Sequence, residues 1–197
     1  MADGCWSTDI PVPIKRSSRP EIDALVADLG ADRPVIREAA IARLTVIGVR
    51  AVDRLSAVVA SSSPSSIRMA ALRALEGIGG PRAVKASLMA IDDGDEVVAA
   101  AAVGSVRASL RGVRGAEIAG RLAEVALNSE RHQVVRLAAI QALSDLEPGT
   151  LAPLWQALAS DANRTIRDEA TAASTRAATS HTEQTTPRPR RFRSSRQ

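Results

Sequence analysis

Ile36-Arg37-Glu38-Ala39-Ala40-Ile41-Ala42-Arg43-Leu44-Thr45-Val46-Ile47-Gly48 recurs, with substitutions, as Ile67-Arg68-Met69-Ala70-Ala71-Leu72-Arg73-Ala74-Leu75-Glu76-Gly77-Ile78-Gly79. A third version reads Val135-Arg136-Leu137-Ala138-Ala139-Ile140-Gln141-Ala142-Leu143-Ser144-Asp145-Leu146. The shared pattern, aliphatic-Arg-x-Ala-Ala-aliphatic-x-x-Leu-x-x-aliphatic, has the period of an α-helix with one apolar face. Two weaker copies are Val97-Val98-Ala99-Ala100-Ala101-Ala102, with Ser105 where Leu is expected, and Ile166-Arg167-Asp168-Glu169-Ala170-Thr171. The first aliphatic residues, at 36, 67, 97, 135 and 166, are spaced by 31, 30, 38 and 31. Such a period indicates stacked repeats, not one closed core.

A second amphipathic run precedes each copy, at 22–29, 52–60, 84–91, 118–127 and 151–158. Each repeat is therefore read as a helix pair, within 20–48, 49–79, 80–112, 113–147 and 148–178. One helix hairpin cannot bury its apolar stripe alone, so neighbours must stack. The paired alanines let adjacent helices approach closely while Leu and Ile fill the gaps. The expected fold is all-α, a right-handed, armadillo-like α-solenoid of about five helix pairs.

Asp-x-x-x-Ile-Arg-x-x-Ala, in Asp32 to Ala40 and echoed from Asp161 to Ala170, resembles HEAT-like repeats of the short bacterial type, which also occur in phycobilisome lyases. The resemblance covers about residues 20–178. It implies a polar ladder in which a turn acid meets the Arg that follows the aliphatic anchor. Arg37, Arg68, Arg136 and Arg167 match the Arg, whereas Val98 does not. Asp32, Asp93 and Asp161 occupy turn positions, with Ser63 and Glu130 nearby in the other repeats.

The 197 residues bound the chain to one or two domains. Aromatic residues are only 2% of it, so the core must rest on Ala, Val, Leu and Ile, and single-stranded nucleic acid has no stacking platform. Residues 1–180 hold 21 basic and 21 acidic side chains, so the net +4 lies wholly in the last seventeen residues. One cysteine, Cys5, excludes an internal disulfide framework. Neither a secretory leader nor a membrane span is read in the sequence, and the expected location is the cytoplasm.

Residues 1–19 contain Pro11 and Pro13 and a basic cluster of Lys15, Arg16 and Arg19, and read as an extended arm, either capping the first repeat through Trp6 and Ile10 or forming a leader. Asp32 and Ser63 read as N-caps, and Gly48 and Gly79 as helix stops. The turn Asp92-Asp93-Gly94-Asp95-Glu96 is acidic but lacks a twelve-residue calcium loop. About seven extra residues of the 38-residue interval between the third and fourth copies fall in 107–115. Trp155 reads as core, and Glu169, Thr171 and Ser174 as the polar face of a terminal cap. Residues 179–197 have the composition of a disordered basic tail.

No catalytic triad, zinc set or phosphate loop is found, and the two histidines offer little to build one from. The expectation is a chain that is not an enzyme, has no cofactor and no metal, and binds another protein or peptide on a concave face. Glu38, Met69, Arg73, Leu137, Gln141 and Asp168 are its candidate contacts, with Ala99, Val103, Ala42 and Ala172 between them. One alternative is nucleic-acid binding through Arg107, Arg111 and Arg114 and the tail residues Arg188, Arg190, Arg191 and Arg193. HEAT-like DNA glycosylases share only the repeats with this chain. A second alternative, resting on the repeat resemblance alone, is a bilin lyase-like subunit.

Overall fold

The computed structural model describes residues 19–146 and 148–184. Ten α-helices follow one another with no strand among the described residues. They pair as α1 (Arg19–Asp28) with α2 (Pro34–Ile47), α3 (Val52–Val59) with α4 (Ser65–Ile78), and α5 (Gly80–Ala90) with α6 (Glu96–Val106). The last two pairs are α7 (Gly115–Leu127) with α8 (Gln133–Leu143), and α9 (Ala152–Leu158) with α10 (Arg164–Gln184). Residues 179–184, expected in the tail, continue α10 as helix. The arm before residue 19 and the tail after 184 lie outside the described residues.

Turn chemistry places the boundaries. Pro34 forces the residue before it into extended backbone, so Arg33 (φ −78°, ψ 117°) is the N-cap of α2. Asp32 therefore stands one position too early to cap. Ser63 is displaced in the same way, because Pro64 is itself the N-cap of α4. Asp95 and Asn163 do cap, accepting from the backbone N–H groups two and three residues ahead. Gly48 and Gly79, at φ 71° and 63°, take a positive φ that glycine adopts without a Cβ clash, and there α2 and α4 end.

The core runs the length of the stack as one continuous strip. Leu44, Leu72, Leu75, Ile140, Leu143 and Ile166 from the second helices are fully buried against Leu29, Leu55, Ile91, Ile118, Leu122 and Leu158 from the first-helix side. Each such side chain contributes about 1.5–3 kcal/mol on leaving water. Trp155 is part of this core. Second helices pack on one another throughout, α2 on α4, α4 on α6, α6 on α8 and α8 on α10. First helices meet more sparingly, and α5 and α7 hardly touch.

Burial corrects the register of the third repeat. Val98, Ala102, Val103 and Val106 are buried where Val135, Ala139, Ile140 and Leu143 are buried in the fourth. The third anchor is Val98, not Val97, and the spacings become 31, 31, 37 and 31. Val106 occupies the Leu position, while Ser105 is buried beside it with its hydroxyl donating to the Ala102 carbonyl at 2.8 Å. The extra residues form a 3-10 turn, Arg107–Arg111, closed by Gly112 to Arg114. Leu110 plugs this turn into the core. Gly115 ends it at a point where an added Cβ would sit 1.9 Å from the Leu110 carbonyl oxygen.

Candidate partner-binding face

Register fixes which side chains the second helices present outward. Counting from each anchor, the positions one before and two, six and ten after lie within a narrow arc of a helix. They read Val35, Glu38, Ala42 and Val46 in α2, then Ser66, Met69, Arg73 and Gly77 in α4. In α6 they are Val97, Ala100 and Gly104, with Ala108 in the 3-10 turn that follows, and in α8 Val134, Leu137 and Gln141, with Asp145 just past its end. Thr165, Asp168, Ala172 and Arg176 complete the set in α10. All are exposed except Met69, Ala100 and Leu137, which are half-buried. Ala99 and Val103, expected on this face, are buried; the one-residue register shift turns the helix by about 100° and replaces them with Ala100 and Gly104.

The face mixes charge with exposed apolar side chains: Val35 and Val46 stand beside Glu38 on α2, and charge is absent only along α6. Arg73 donates two hydrogen bonds to the Glu38 carboxylate, at 2.7 and 2.9 Å, bridging α4 to α2. That hydrogen bonding holds the Glu38 carboxyl below its ordinary value and raises Arg73. At the other end Arg164 lies 3.6 Å from Asp168 along α10. Between them, α6 shows nothing larger than Val97, and it is flanked by Met69 on α4 and by Val134 and Leu137 on α8. The result is an uncharged strip of small side chains along α6. A glycine inside a helix costs about 1 kcal/mol relative to Ala. An added Cβ at Gly104 would meet no atom within 4 Å, whereas at Gly77 it would come within 2.8 Å of Thr45. Packing within the chain therefore explains Gly77 and leaves Gly104 unexplained.

Inter-repeat polar contacts lie on the turn edge of the stack. Arg68 pairs with Asp93 and Arg136 with Asp161, each Arg reaching the turn of the following repeat. Both guanidiniums are largely buried, and each also donates through Nε to a carbonyl at the end of its own first helix, Val59 and Ala126 respectively, at 2.9 Å. Hydrogen bonding from Arg136 holds the Asp161 carboxyl below the usual range, against the opposing effect of burial. In these two turns the acid stands five residues before the anchor. Ala31 holds that position in the first repeat, so Asp32 is exposed and joins no rung. Arg37 and Arg167 instead donate to carbonyls of their own turns, Ala31 at 3.2 Å and Asp161 at 2.6 Å.

The third repeat has Ala99 in place of the Arg, and the rung is inverted there. Arg131, in the turn of the fourth repeat, reaches back to Asp92 and to the Ile91 carbonyl at 2.7 Å, and Arg121 joins it on Asp92 at 2.7 Å. Burial pushes Asp92 up, but hydrogen bonds and charge from Arg131 and Arg121 outweigh it and leave the carboxyl below its ordinary value. Nothing in the repeat pattern marks Arg131; the one available signal was the missing Arg in the third copy. Asp95 caps α6 and accepts from the Ser65 hydroxyl. Asp92, Asp93 and Asp95 are thus each spent on protein partners.

The loop arginines are also occupied. Arg107 pairs with Asp145, Arg111 donates to the Asp145 carbonyl at 3.4 Å, and Arg114 binds Glu117 at 2.8 Å. Arg107 and Arg111 border a depression of about 430 Å³ at the C-terminal ends of α4, α6 and α8. A larger groove, about 820 Å³, opens on the opposite side where the insertion parts α5 from α7; it exposes Met89 beside Lys85, Arg121 and Glu124. Arg188, Arg190, Arg191 and Arg193 lie outside the described residues. No helix among the described residues is long and apolar enough to cross a membrane.

No protein family's sequence profile matches the chain, and no curated protein sequence does. Its fold matches solved structures. Human deoxyhypusine hydroxylase in complex with glycerol is 20% identical, with a TM-score of 0.60 over 71% of this chain and 47% of that one. The complex of CpcE and CpcF of phycocyanin lyase from Nostoc sp. PCC7120 is 23% identical, with a TM-score of 0.58 over 79% of this chain and 99% of that one. The chain spans about half the length of the hydroxylase chain. The expectation that the chain is not an enzyme is corrected by these neighbours: one is an enzyme and the other belongs to a lyase, so the fold includes enzymes. Missing linear motifs do not exclude activity, because function lies in a site and is not read from the fold. The architecture is that of HEAT-like helical-repeat proteins.

Proposed function

We propose that the chain is a protein-binding scaffold that holds an amphipathic helix or peptide across the exposed face of its second helices. The observation that carries this reading is the uncharged strip along α6, formed by Val97, Ala100 and Gly104 between Met69 and Leu137. Small side chains there let another backbone approach closely, and the flanking aliphatic residues supply anchors for an apolar helix stripe. The Glu38–Arg73 pair and the Asp168 end give polar borders that set the orientation of a partner. Closer packing among second helices than among first helices supports a stack curved around this face, making it concave. The CpcE–CpcF neighbour is itself a complex of chains, which is consistent with a protein partner.

Nucleic-acid binding gains no support from the loop, because Arg107 and Arg114 are already ion-paired within the chain. The test is to compare proteins retained from source lysate, after nuclease, by the wild-type chain, by Gly104→Arg and by Arg73→Glu/Gln141→Glu. The proposal expects one defined protein to be retained by wild type and lost from both variants while their folding is unchanged. Retention by all three would refute the face.

A further inference from the structure

The ladder has an empty place between the first two repeats, and the residue standing in it is Ser62. Arg68 meets Asp93 and Arg136 meets Asp161; in both, the Arg is one residue after its anchor and the acid five residues before the next. The same register pairs Arg37 with Ser62. The turns are stacked as elsewhere, since Gly30 lies against Ile67 of the next repeat. Arg37 nevertheless behaves as Arg167 does at the last described repeat, folding back onto a carbonyl of its own turn. It is half-buried and forms no ion pair with any described residue.

The turn singles out one hydroxyl. The Ser61 hydroxyl donates to the Val58 carbonyl at 2.7 Å, and Ser63 is joined to Ser61 at 2.8 Å. Ser62 is exposed and hydrogen-bonds to no described residue. Of the three serines, it alone is both available and in register with an arginine.

We propose that Ser62 is a phosphorylation site and that its phosphoserine closes the missing rung with Arg37. A protein kinase would transfer the terminal phosphoryl group of a nucleoside triphosphate. The bond from Ser62 Oγ to phosphorus forms as the bond from phosphorus to the departing nucleoside diphosphate breaks, and the hydroxyl proton passes to the kinase's base. The ester brings a charge of about −1.5 to −2 and three strong acceptor oxygens, a match for a guanidinium fork. Arg37 would leave the Ala31 carbonyl and swing to the next turn, as Arg68 and Arg136 do. The first repeat, including the Glu38 that borders the proposed binding face, would then be locked to the second.

Phosphoserine placed at position 62 by genetic encoding tests this in the full chain, beside unmodified protein and each form carrying Arg37→Ala. The modified protein should melt about 2–4 °C higher and show slower amide exchange in α1 and α2, and Arg37→Ala should abolish both gains. No gain, or a gain that survives Arg37→Ala, overturns the rung. Phosphopeptide mapping of protein purified from its source tests the modification itself. Phosphoserine at 62 supports the proposal, and unmodified Ser62 in every growth condition sampled overturns it as a natural site. Partner binding is not read in these experiments, so they stand or fall apart from the scaffold proposal.

Discussion

Asp161→Ala is the most informative single perturbation of the stack. Arg136 is 3% exposed, and its guanidinium is shared between Asp161 and the Ala126 carbonyl. Removing the carboxylate leaves a buried positive charge with one neutral acceptor. Breaking a buried pair in this way costs about 3–5 kcal/mol. The lower end applies because the Asp161 side chain keeps 14% of its exposure, which gives water a path to the site. Part of the loss is local, since Asp161 also accepts from the Asn163 N–H at 2.8 Å. Asp161→Asn keeps that acceptor and should lose less. For a chain of this size about 3 kcal/mol corresponds to a fall in Tm of about 6–12 °C.

In a repeat array the loss need not be shared evenly, because each repeat is held by its own interfaces. Amide exchange should therefore rise first in α9 and α10, with α1 to α6 unchanged. Replacing both partners, Arg136→Leu with Asp161→Ala, removes the buried charge and should recover part of the stability. An Asp161→Ala protein that melts within about a degree of wild type, with α9 and α10 exchanging as before, would refute the ladder as a structural element.

Other expected outcomes follow from the same contacts. Gly104→Ala should stabilise the chain by about 0.5–1 kcal/mol, because the helix gains propensity and the new methyl meets nothing; chemical denaturation measures it. Gly115→Ala should be strongly destabilising, since its methyl would collide with the Leu110 carbonyl. Arg73→Ala should leave Tm nearly unchanged despite good geometry, because both partners of the Glu38 pair are more than half exposed. The carboxyls of Asp92, Asp95 and Asp161 are all held below their ordinary value. Their contribution is complete above the unfolded carboxylate pKa of about 3.9 and is lost as pH falls through the lower folded values. Thermal melts between about pH 6 and pH 2 should therefore stay flat at first and then decline below about pH 4.

The fold was legible because its signal is repeated. Ile36, Ile67, Val135 and Ile166 each open a copy in which Arg and paired alanines recur, and only stacked helices bury such a set. Register was not legible in the third copy. Val97-Val98 followed by four alanines has no periodicity strong enough to choose an anchor, and the acidic turn before it offered several aspartates for alignment. The cap decides it: Asp95 stands three residues before Val98, as Asn163 does before Ile166.

The face was partly legible. Glu38, Met69, Arg73, Leu137, Gln141 and Asp168 share one outward arc of the second helices, whereas Ala100 and Gly104 join it only in the register that burial sets for the third repeat. The inverted rung was signalled only by the missing Arg of the third copy, because Arg131 and Asp92 are 39 residues apart and no spacing rule joins them.

Crosslinking addresses the central claim most directly. A photo-reactive residue placed at Gly104, on the second-helix face, and another at Met89, in the groove between α5 and α7, sample different faces of the stack in the intact chain. Irradiation in the source cell should yield a discrete protein adduct from position 104 and none from 89. An adduct from 89 alone, or none from 104, would contradict the second-helix face as the place where this protein meets its partner.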